Sequence, residues 1–481
     1  MTFSLRGYQS TLIDATREAL REHDAVVLQL ATGGGKTGIA GYILRMVVER
    51  GKTAYFLCHR TELVDQTART FEDFGIPYGI IAAGYTPSRS QPVQICSIDT
   101  LKARLSRGAT IPTPALIAFD ECHHVASAGW ARLMASFGRC KVIGLTATPE
   151  RLDGRGLRPP FEAIVSGPSV AELTEQGYLS PSVVYAPAHD PDLSGVGKVA
   201  GDYNRKELAD VMGASVLIGD AVAHYRRLCD KVPALAFCVT VHHAEQVAAQ
   251  FAAAGYRAVM VEGNTDKKVR RDAIRALGEG RLDVLTSCMI FSEGVDCPPA
   301  KVAIMLRPTK SLALWLQMAG RILRPIPGVT ATILDHAGNC RVHGLPDEPR
   351  EWSLDGRRKR RKATDAGPPV KQCPACFAMC PAAAPVCPAC GAAFEVHARD
   401  VKHLDGELER VTGRARIMPA TTDPTMLMVQ GMTYQQRLGW VRRDDARLKL
   451  VAAACGYDKG WIWRMRKGWG TWRPKQAAAA E

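Results

Sequence analysis

Residues 31–37, Ala-Thr-Gly-Gly-Gly-Lys-Thr, constrain this chain more than any other stretch. Ala25–Leu30, just before it, is short, mostly apolar and rich in valine and leucine, and reads as a buried parallel strand. Ile39–Val47, just after it, reads as a helix. A strand, a glycine loop and a helix form a cradle for phosphate. Gly33, Gly34 and Gly35 let the backbone turn its N–H groups inward beside Thr32, and the helix N-terminus adds its partial positive charge. In such a cradle Lys36 reaches the β- and γ-phosphates of a nucleoside triphosphate and Thr37 holds Mg²⁺. The strict eight-residue pattern would begin with a glycine, where this chain has Leu30. The bland alternative is a glycine turn with a chance Gly-Lys-Thr.

The chain around the loop repeats one theme. Residues 5–9, Leu-Arg-Gly-Tyr-Gln, lead into an amphipathic stretch with Leu12, Ile13, Ala15, Ala19 and Leu20, which predicts a helix. Further apolar strands are predicted at 53–59, 93–98, 115–119 and 142–145, alternating with helical stretches. That alternation implies a parallel sheet covered on both faces, with ligands at the carboxyl ends of its strands. The strand at 115–119 ends in Asp120-Glu121-Cys122-His123 and that at 142–145 in Thr146-Ala147-Thr148-Pro149. A carboxylate at Asp120 suits the Mg²⁺ that bridges two phosphates, and Glu121 suits an attacking water. A surface acidic pair capping the next helix is the alternative. His123 either relays between these two motifs or is a packed histidine.

The three motifs, in this order and spacing, resemble motifs I, II and III of superfamily-two helicases, and the Asp-Glu-x-His form resembles the branch of DNA helicases and type III restriction helicase subunits. The resemblance implies two tandem RecA-like lobes. It also implies that Gln9, with Arg6, contacts adenine, and that His59, Arg60, Ser97 and Asp99 touch the nucleic-acid backbone or support those contacts. A second α/β unit is predicted from strands at 234–239, 258–261, 282–286 and 302–306, beyond a weakly patterned bridge over 150–228. It lacks a phosphate loop, so it supplies residues across a cleft. Gln317-x-x-Gly320-Arg321-x-x-Arg324 matches motif VI and predicts two guanidiniums one helical turn apart, clamping a transferring phosphoryl group. Ser292-Glu293-Gly294-Val295-Asp296 resembles motif V, which couples the nucleotide cleft to the nucleic-acid strand and implies Gly294 and Asp296 at the nucleotide; the resemblance of motifs II and III implies His123, Thr146 and Thr148 in the same coupling.

The remaining sequence is basic. Of the net charge of +14, residues 401–481 carry +7 and residues 351–372 carry +4, which suggests a polyanion partner. Arg357–Lys362 is six basic residues in a row, before Gly367-Pro368-Pro369, and reads as a linker. Cys373-x-x-Cys376 and Cys387-x-x-Cys390 are two knuckles with the spacing of a closed, structural Zn²⁺ site; disulfides or an iron–sulfur cluster are the alternatives, and Cys380, inside the loop between the knuckles, is a candidate substitute ligand. Five of the eight tryptophans (Trp440, Trp461, Trp463, Trp469, Trp472) interleave with Arg442, Arg443, Arg464, Arg466, Lys467 and Arg473. That pattern fits a platform for stacked bases and, equally, the core of a small helical module.

The expected organisation is therefore α/β: a first RecA-like lobe at 1–178, a second at 179–348, a basic linker at 349–372, a Cys₄ zinc module at 373–400 and a basic, Trp-rich region at 401–481. Motifs, knuckles and tail together resemble bacterial RadD-type helicase-like proteins, which implies ATP and Mg²⁺ as ligands and DNA as partner, single-stranded or branched, with a protein partner reached through the tail. An RNA helicase and an ATP-switched binding factor are the rival readings. No nuclease or methyltransferase motif is evident. Neither a signal-peptide core nor an apolar run of about twenty residues occurs, so the expected location is cytoplasmic and no membrane partner is implied.

Overall fold

The computed structural model describes residues 5–59, 61–88, 90–123, 133–151, 154–186, 193, 195–199, 202–212, 215–288, 300–355, 369–394, 422–432, 434–441, 444–455, 462 and 465. The chain divides into two compact units, residues 1–396 and 397–481. The first contains two large sheets and a separate two-stranded pair. Helix α1 (Gly7–Glu22) precedes strand β1 (Ala25–Gln29), which feeds helix α2 (Lys36–Val48) through the glycine loop. Strands β2 (Ala54–Cys58), β3 (Tyr78–Ile81), β4 (Val93–Ser97), β5 (Leu116–Asp120), β6 (Lys141–Thr146) and β7 (Ala163–Ser166) complete a seven-stranded sheet of order β3-β4-β2-β5-β6-β1-β7. Every pair in it is parallel. β1, β2, β4 and β5 are buried along their whole length, as covering on both faces requires. The predicted strands thus stand where expected, and β3 and β7 extend the sheet at its two edges.

The second sheet is built on β8 (Ser182–Tyr185), β11 (Ala234–Phe237), β12 (Ala258–Val261), β13 (Val284–Ser287), β14 (Val302–Met305) and β15 (Ala331–Asp335). Between β8 and β11 a short antiparallel pair, β9 (Lys198–Val199) and β10 (Asp202–Tyr203), stands apart from it. β16 (Val370–Gln372) and β17 (Ala378–Pro381) form a hairpin whose β17 lies antiparallel on β8, so the cysteine region continues the second lobe's sheet in the order β12-β13-β11-β14-β15-β8-β17-β16. The stretch expected as a linker is structured at both ends. Leu354 is buried in the first lobe's core, and its carbonyl accepts from the Leu157 and Arg158 N–H groups. At the other end Val370–Gln372 is a strand. The basic run between them lies outside the described residues.

The second unit is a small helical module. Pro424–Gly431, Tyr434–Val441 and Asp445–Cys455 are helices around Val429, Val441, Leu448, Val451, Ala452, Ala454 and Cys455. The first is capped by Asp423 with Pro424 in its first turn. Trp440 is half-buried against this core, with the Arg447 guanidinium 5.1 Å from its ring centre. For Trp440 the helical-core alternative holds; the other four tail tryptophans and their neighbouring cations lie outside the described residues. Among the described residues no helix is long and apolar enough to cross a membrane.

Candidate ATP cleft and cysteine cluster

The parallel register brings the motifs to one sheet edge. Asp120 pairs with Leu145, and Thr146 pairs with Gln29 at the end of β1. Gln29 Nε2 donates to the Ala147 carbonyl at 3.0 Å, and Leu30 N–H to the Thr146 carbonyl at 3.0 Å. The glycine loop is therefore stitched directly to the strand that carries Thr146 and Thr148.

Gly35 caps α2 with φ of 85°, and Gly33 has φ of 86°; both lie where only glycine is unstrained. No side chain caps the first turn of α2, so its N–H groups remain for an anion. Leu30, standing where the pattern wants glycine, is fully buried, and its Cγ lies 2.7 Å from the point a Gly34 Cβ would occupy. It packs beneath the loop. Lys36 Nζ donates to the Leu30 carbonyl at 3.2 Å. Gln9 is buried, its Nε2 donating to the Gly34 carbonyl at 3.3 Å, while Tyr8 OH donates to the same carbonyl at 2.7 Å. Arg6 lies beside them, donating to the Tyr8 hydroxyl at 3.2 Å.

Asp120 is buried at the end of β5. Burial and the adjacent Glu121 carboxylate push its carboxyl up to about 6, against the opposing pull of Lys36 and His59. Such a group gains from a cation placed against it, and the Asp120 carboxylate and Thr37 hydroxyl are the hard oxygen donors Mg²⁺ takes. Glu121 has φ of 50°, unusual for a residue with a side chain, which places its Oε2 3.4 Å from His123 Nδ1. His123 is also buried, with Nδ1 3.2 Å from Thr146 Oγ1. The Thr146 hydroxyl donates to the Thr148 carbonyl at 2.9 Å and accepts from the Thr148 N–H at 3.1 Å. The relay alternative for His123 thus has its geometry.

The second lobe meets this loop through the helix Leu312–Gly320. A Cβ on Gly320 would fall 2.5 Å from Thr32 Cβ and 2.7 Å from Thr32 Cγ2. Gln317 is buried on the same helix, and its Nε2 lacks an acceptor among the described residues. One expectation needs correction. The helix stops at Gly320, with Arg321 as its C-terminal cap, so Arg324 lies beyond it and the two arginines do not share a helical face. Pro325 and Pro327 explain the stop, because proline ends a helix at or before the residue preceding it.

Ser97 is buried at the start of the helix Ile98–Ser106, Asp99 is exposed in its first turn, and His59 follows β2. Arg60, Gly294 and Asp296 lie outside the described residues.

The sulfur atoms of Cys373, Cys376, Cys387 and Cys390 all lie within 4.8 Å of one another. Cys373 and Cys390 are 3.8 Å apart and Cys376 and Cys387 3.6 Å, close to the edge of about 3.8 Å of a tetrahedron with metal–sulfur bonds of about 2.3 Å. Both knuckles turn alike: Phe377 N–H returns to the Cys373 carbonyl at 2.9 Å and Gly391 N–H to that of Cys387 at 2.8 Å, each residue with positive φ. Cys380 is buried with its sulfur 3.6 Å from that of Cys387.

The sequence matches two families in tandem: the type III restriction enzyme res subunit over residues 2–151 and the helicase conserved C-terminal domain over residues 223–325. A 51.5 kDa protein of Lactococcus phage isolate 7-9 is 31% identical over 388 residues, 80% of this chain and 82% of that protein. The DNA 3'-5' translocase XPB2 of Sulfurisphaera tokodaii is 25% identical over 361 residues, 66% of this chain and 78% of that one. Two yeast relatives are longer, and this chain spans 49% and 59% of their lengths. Among solved structures, a fragment assigned as an HsdR subunit of a type I restriction enzyme from Vibrio vulnificus shares the fold with a TM-score of 0.56. It is 20% identical and covers 69% of this chain and 64% of that one.

Proposed function

The chain belongs to the superfamily-two helicases, ATP-hydrolysing enzymes related to the type III and type I restriction helicase subunits, and on that premise we propose that it is a DNA translocase powered from the cleft between its lobes. The observation that carries this reading is the approach of Gly320 to Thr32, which sets the arginine-bearing loop of the second lobe against the phosphate loop of the first. In the cleft Lys36, Thr37 and the first-turn N–H groups of α2 bind the phosphates, and Gln9 with Arg6 binds the base. Asp120 and Thr37 would hold Mg²⁺, which would supply neutralisation of the phosphate charge. Glu121 orients the attacking water and takes its proton. Arg321, Arg324 and Gln317 stabilise charge on the transferring group from the other lobe.

Loss of the γ-phosphate removes what both lobes grip, and the cleft opens. The Glu121–His123–Thr146–Thr148 chain ties that event to the strand-contacting edge. DNA is favoured over RNA because the relatives are named for a DNA translocase and for restriction enzymes. The four cysteine thiolates would hold a structural Zn²⁺ that fixes the β16–β17 hairpin on β8.

Displacement of a triplex-forming third strand from duplex DNA tests the reading. ATP-dependent displacement, lost in Lys36→Ala, is expected. Hydrolysis without displacement on any DNA would instead identify an ATP-switched binding factor.

A further inference from the structure

The segment joining the lobes leaves β7 at Ser166 and enters β8 at Ser182. On the way it touches three parts of the nucleotide cleft with three consecutive residues. The Tyr178 ring lies 5.1 Å from that of Tyr8, under the Arg6 guanidinium at 4.7 Å. Leu179 Cδ2 lies 3.0 Å from the point a Gly33 Cβ would occupy. Ser180 turns to the arginine loop, its N–H donating to the Leu323 carbonyl at 2.8 Å and its hydroxyl to the Arg324 carbonyl at 3.0 Å.

Lys301 completes the arrangement. It is 4% exposed, and its ammonium donates to the Arg324 carbonyl and, at 3.1 Å, to the Ser180 hydroxyl. That hydroxyl also accepts from the Ile326 N–H at 3.3 Å, which uses its full hydrogen-bonding capacity. Lys301 is anchored beside β14 by its carbonyl, which accepts from the Thr332 N–H at 2.8 Å. An ammonium buried against neutral oxygens is costly, and burial together with the charge of Arg324 depresses its pKa. A methionine would fill the space without that cost, so what the lysine contributes is its bond to the arginine loop at the Arg324 carbonyl and its bond to the Ser180 hydroxyl of the joining segment.

We propose that Lys301 and Ser180 are positioning residues for Arg324, and that residues 178–180 carry the state of the phosphate loop to the arginine loop. The proposal rests on the reading of Arg324 as a residue that faces the transferring phosphate. Whenever nucleotide shifts Gly33 or Arg6, the linker moves with them, and the Ser180–Lys301 bracket moves the backbone of Arg324.

The test is steady-state ATP hydrolysis at saturating single-stranded DNA by full-length Lys301→Met, Ser180→Ala and Arg324→Ala and by the doubles Lys301→Met/Arg324→Ala and Ser180→Ala/Arg324→Ala, with thermal midpoints measured alongside. Lys301→Met is expected to lower kcat about tenfold and Ser180→Ala about threefold, with KM for ATP changed less than about twofold. Each double should lose no more than Arg324→Ala alone, because the bracket acts only through that arginine. Losses that multiply, or a Lys301→Met kcat equal to wild type while Arg324→Ala is impaired, would overturn the proposal and leave the reading of Arg324 standing. Full activity in Arg324→Ala would overturn both. If Lys301→Met does not fold, Ser180→Ala and its double with Arg324→Ala decide between the same outcomes.

Discussion

Gly320→Ala should disable the enzyme without unfolding it. The added Cβ would sit 2.5 Å from Thr32 Cβ, where an ordinary carbon–carbon contact is about 3.7 Å. Thr32 cannot swing its Cβ away, since that atom is fixed by the backbone of the phosphate loop. Relief therefore requires the lobes to part by roughly 1.2 Å at this point. Misplacement of a catalytic constellation by about 1 Å costs on the order of 100-fold in rate, or about 2.7 kcal/mol of transition-state stabilisation. The contact lies between lobes, so each lobe's own core is untouched and the thermal midpoint should hold. The assay is DNA-stimulated kcat, with ADP affinity measured alongside to show that the phosphate loop still binds. Thr32→Gly/Gly320→Ala moves the Cβ from one side of the contact to the other and should recover part of what Gly320→Ala loses beyond Thr32→Gly. Wild-type turnover in Gly320→Ala would refute the claim that hydrolysis occurs with the lobes in this arrangement.

Other consequences follow from the same cleft and from the cysteines. Asp120 titrates near 6 in the folded protein against about 3.9 unfolded, so the fold favours its neutral form. The stability of that form is complete below pH of about 4 and is lost as pH rises through 6. Asp120→Asn should therefore abolish hydrolysis yet raise stability at pH 7.5 by roughly 2–3 kcal/mol, a gain that disappears in melts at pH 4. Thr146→Ala removes the acceptor of His123 and should lower the DNA-stimulated rate about tenfold while the DNA-free rate stays within about twofold, measured on the same preparation. Metal analysis should find about one zinc per chain, lost in Cys376→Ser and kept in Cys380→Ser. Stripping that metal should destabilise the second lobe's sheet as well, because β17 pairs with β8, and hydrogen exchange on β8 would show it.

How much of this was legible depended on whether one local stretch carried the signal. β1, β2, β4 and β5 are buried on both faces, so each reads as an apolar run; Asp120 and Thr146 stand at the ends of such runs, and Lys36 stands one glycine loop beyond β1. β3 is a four-residue edge strand half open to solvent, and β8 is only partly buried; neither leaves a run to find. The end of the arginine helix had a signal in Pro325 and Pro327, which the spacing of Arg321 and Arg324 overshadowed. The return of Leu354 to the first lobe, the pressing of Gly320 on Thr32 and the Lys301–Ser180 bracket join residues far apart in sequence, and only the folded chain brings them together.

Every step proposed for the cleft requires two lobes to share one nucleotide site and DNA to drive its turnover. Steady-state ATP hydrolysis by the purified protein decides this, run without polymer, then with single-stranded, duplex or forked DNA, then with RNA. Stimulation by DNA over RNA, abolished in Lys36→Ala and in Arg324→Ala, is expected. Hydrolysis that ignores nucleic acid, or that survives Arg324→Ala, would contradict a DNA-driven site shared between the lobes.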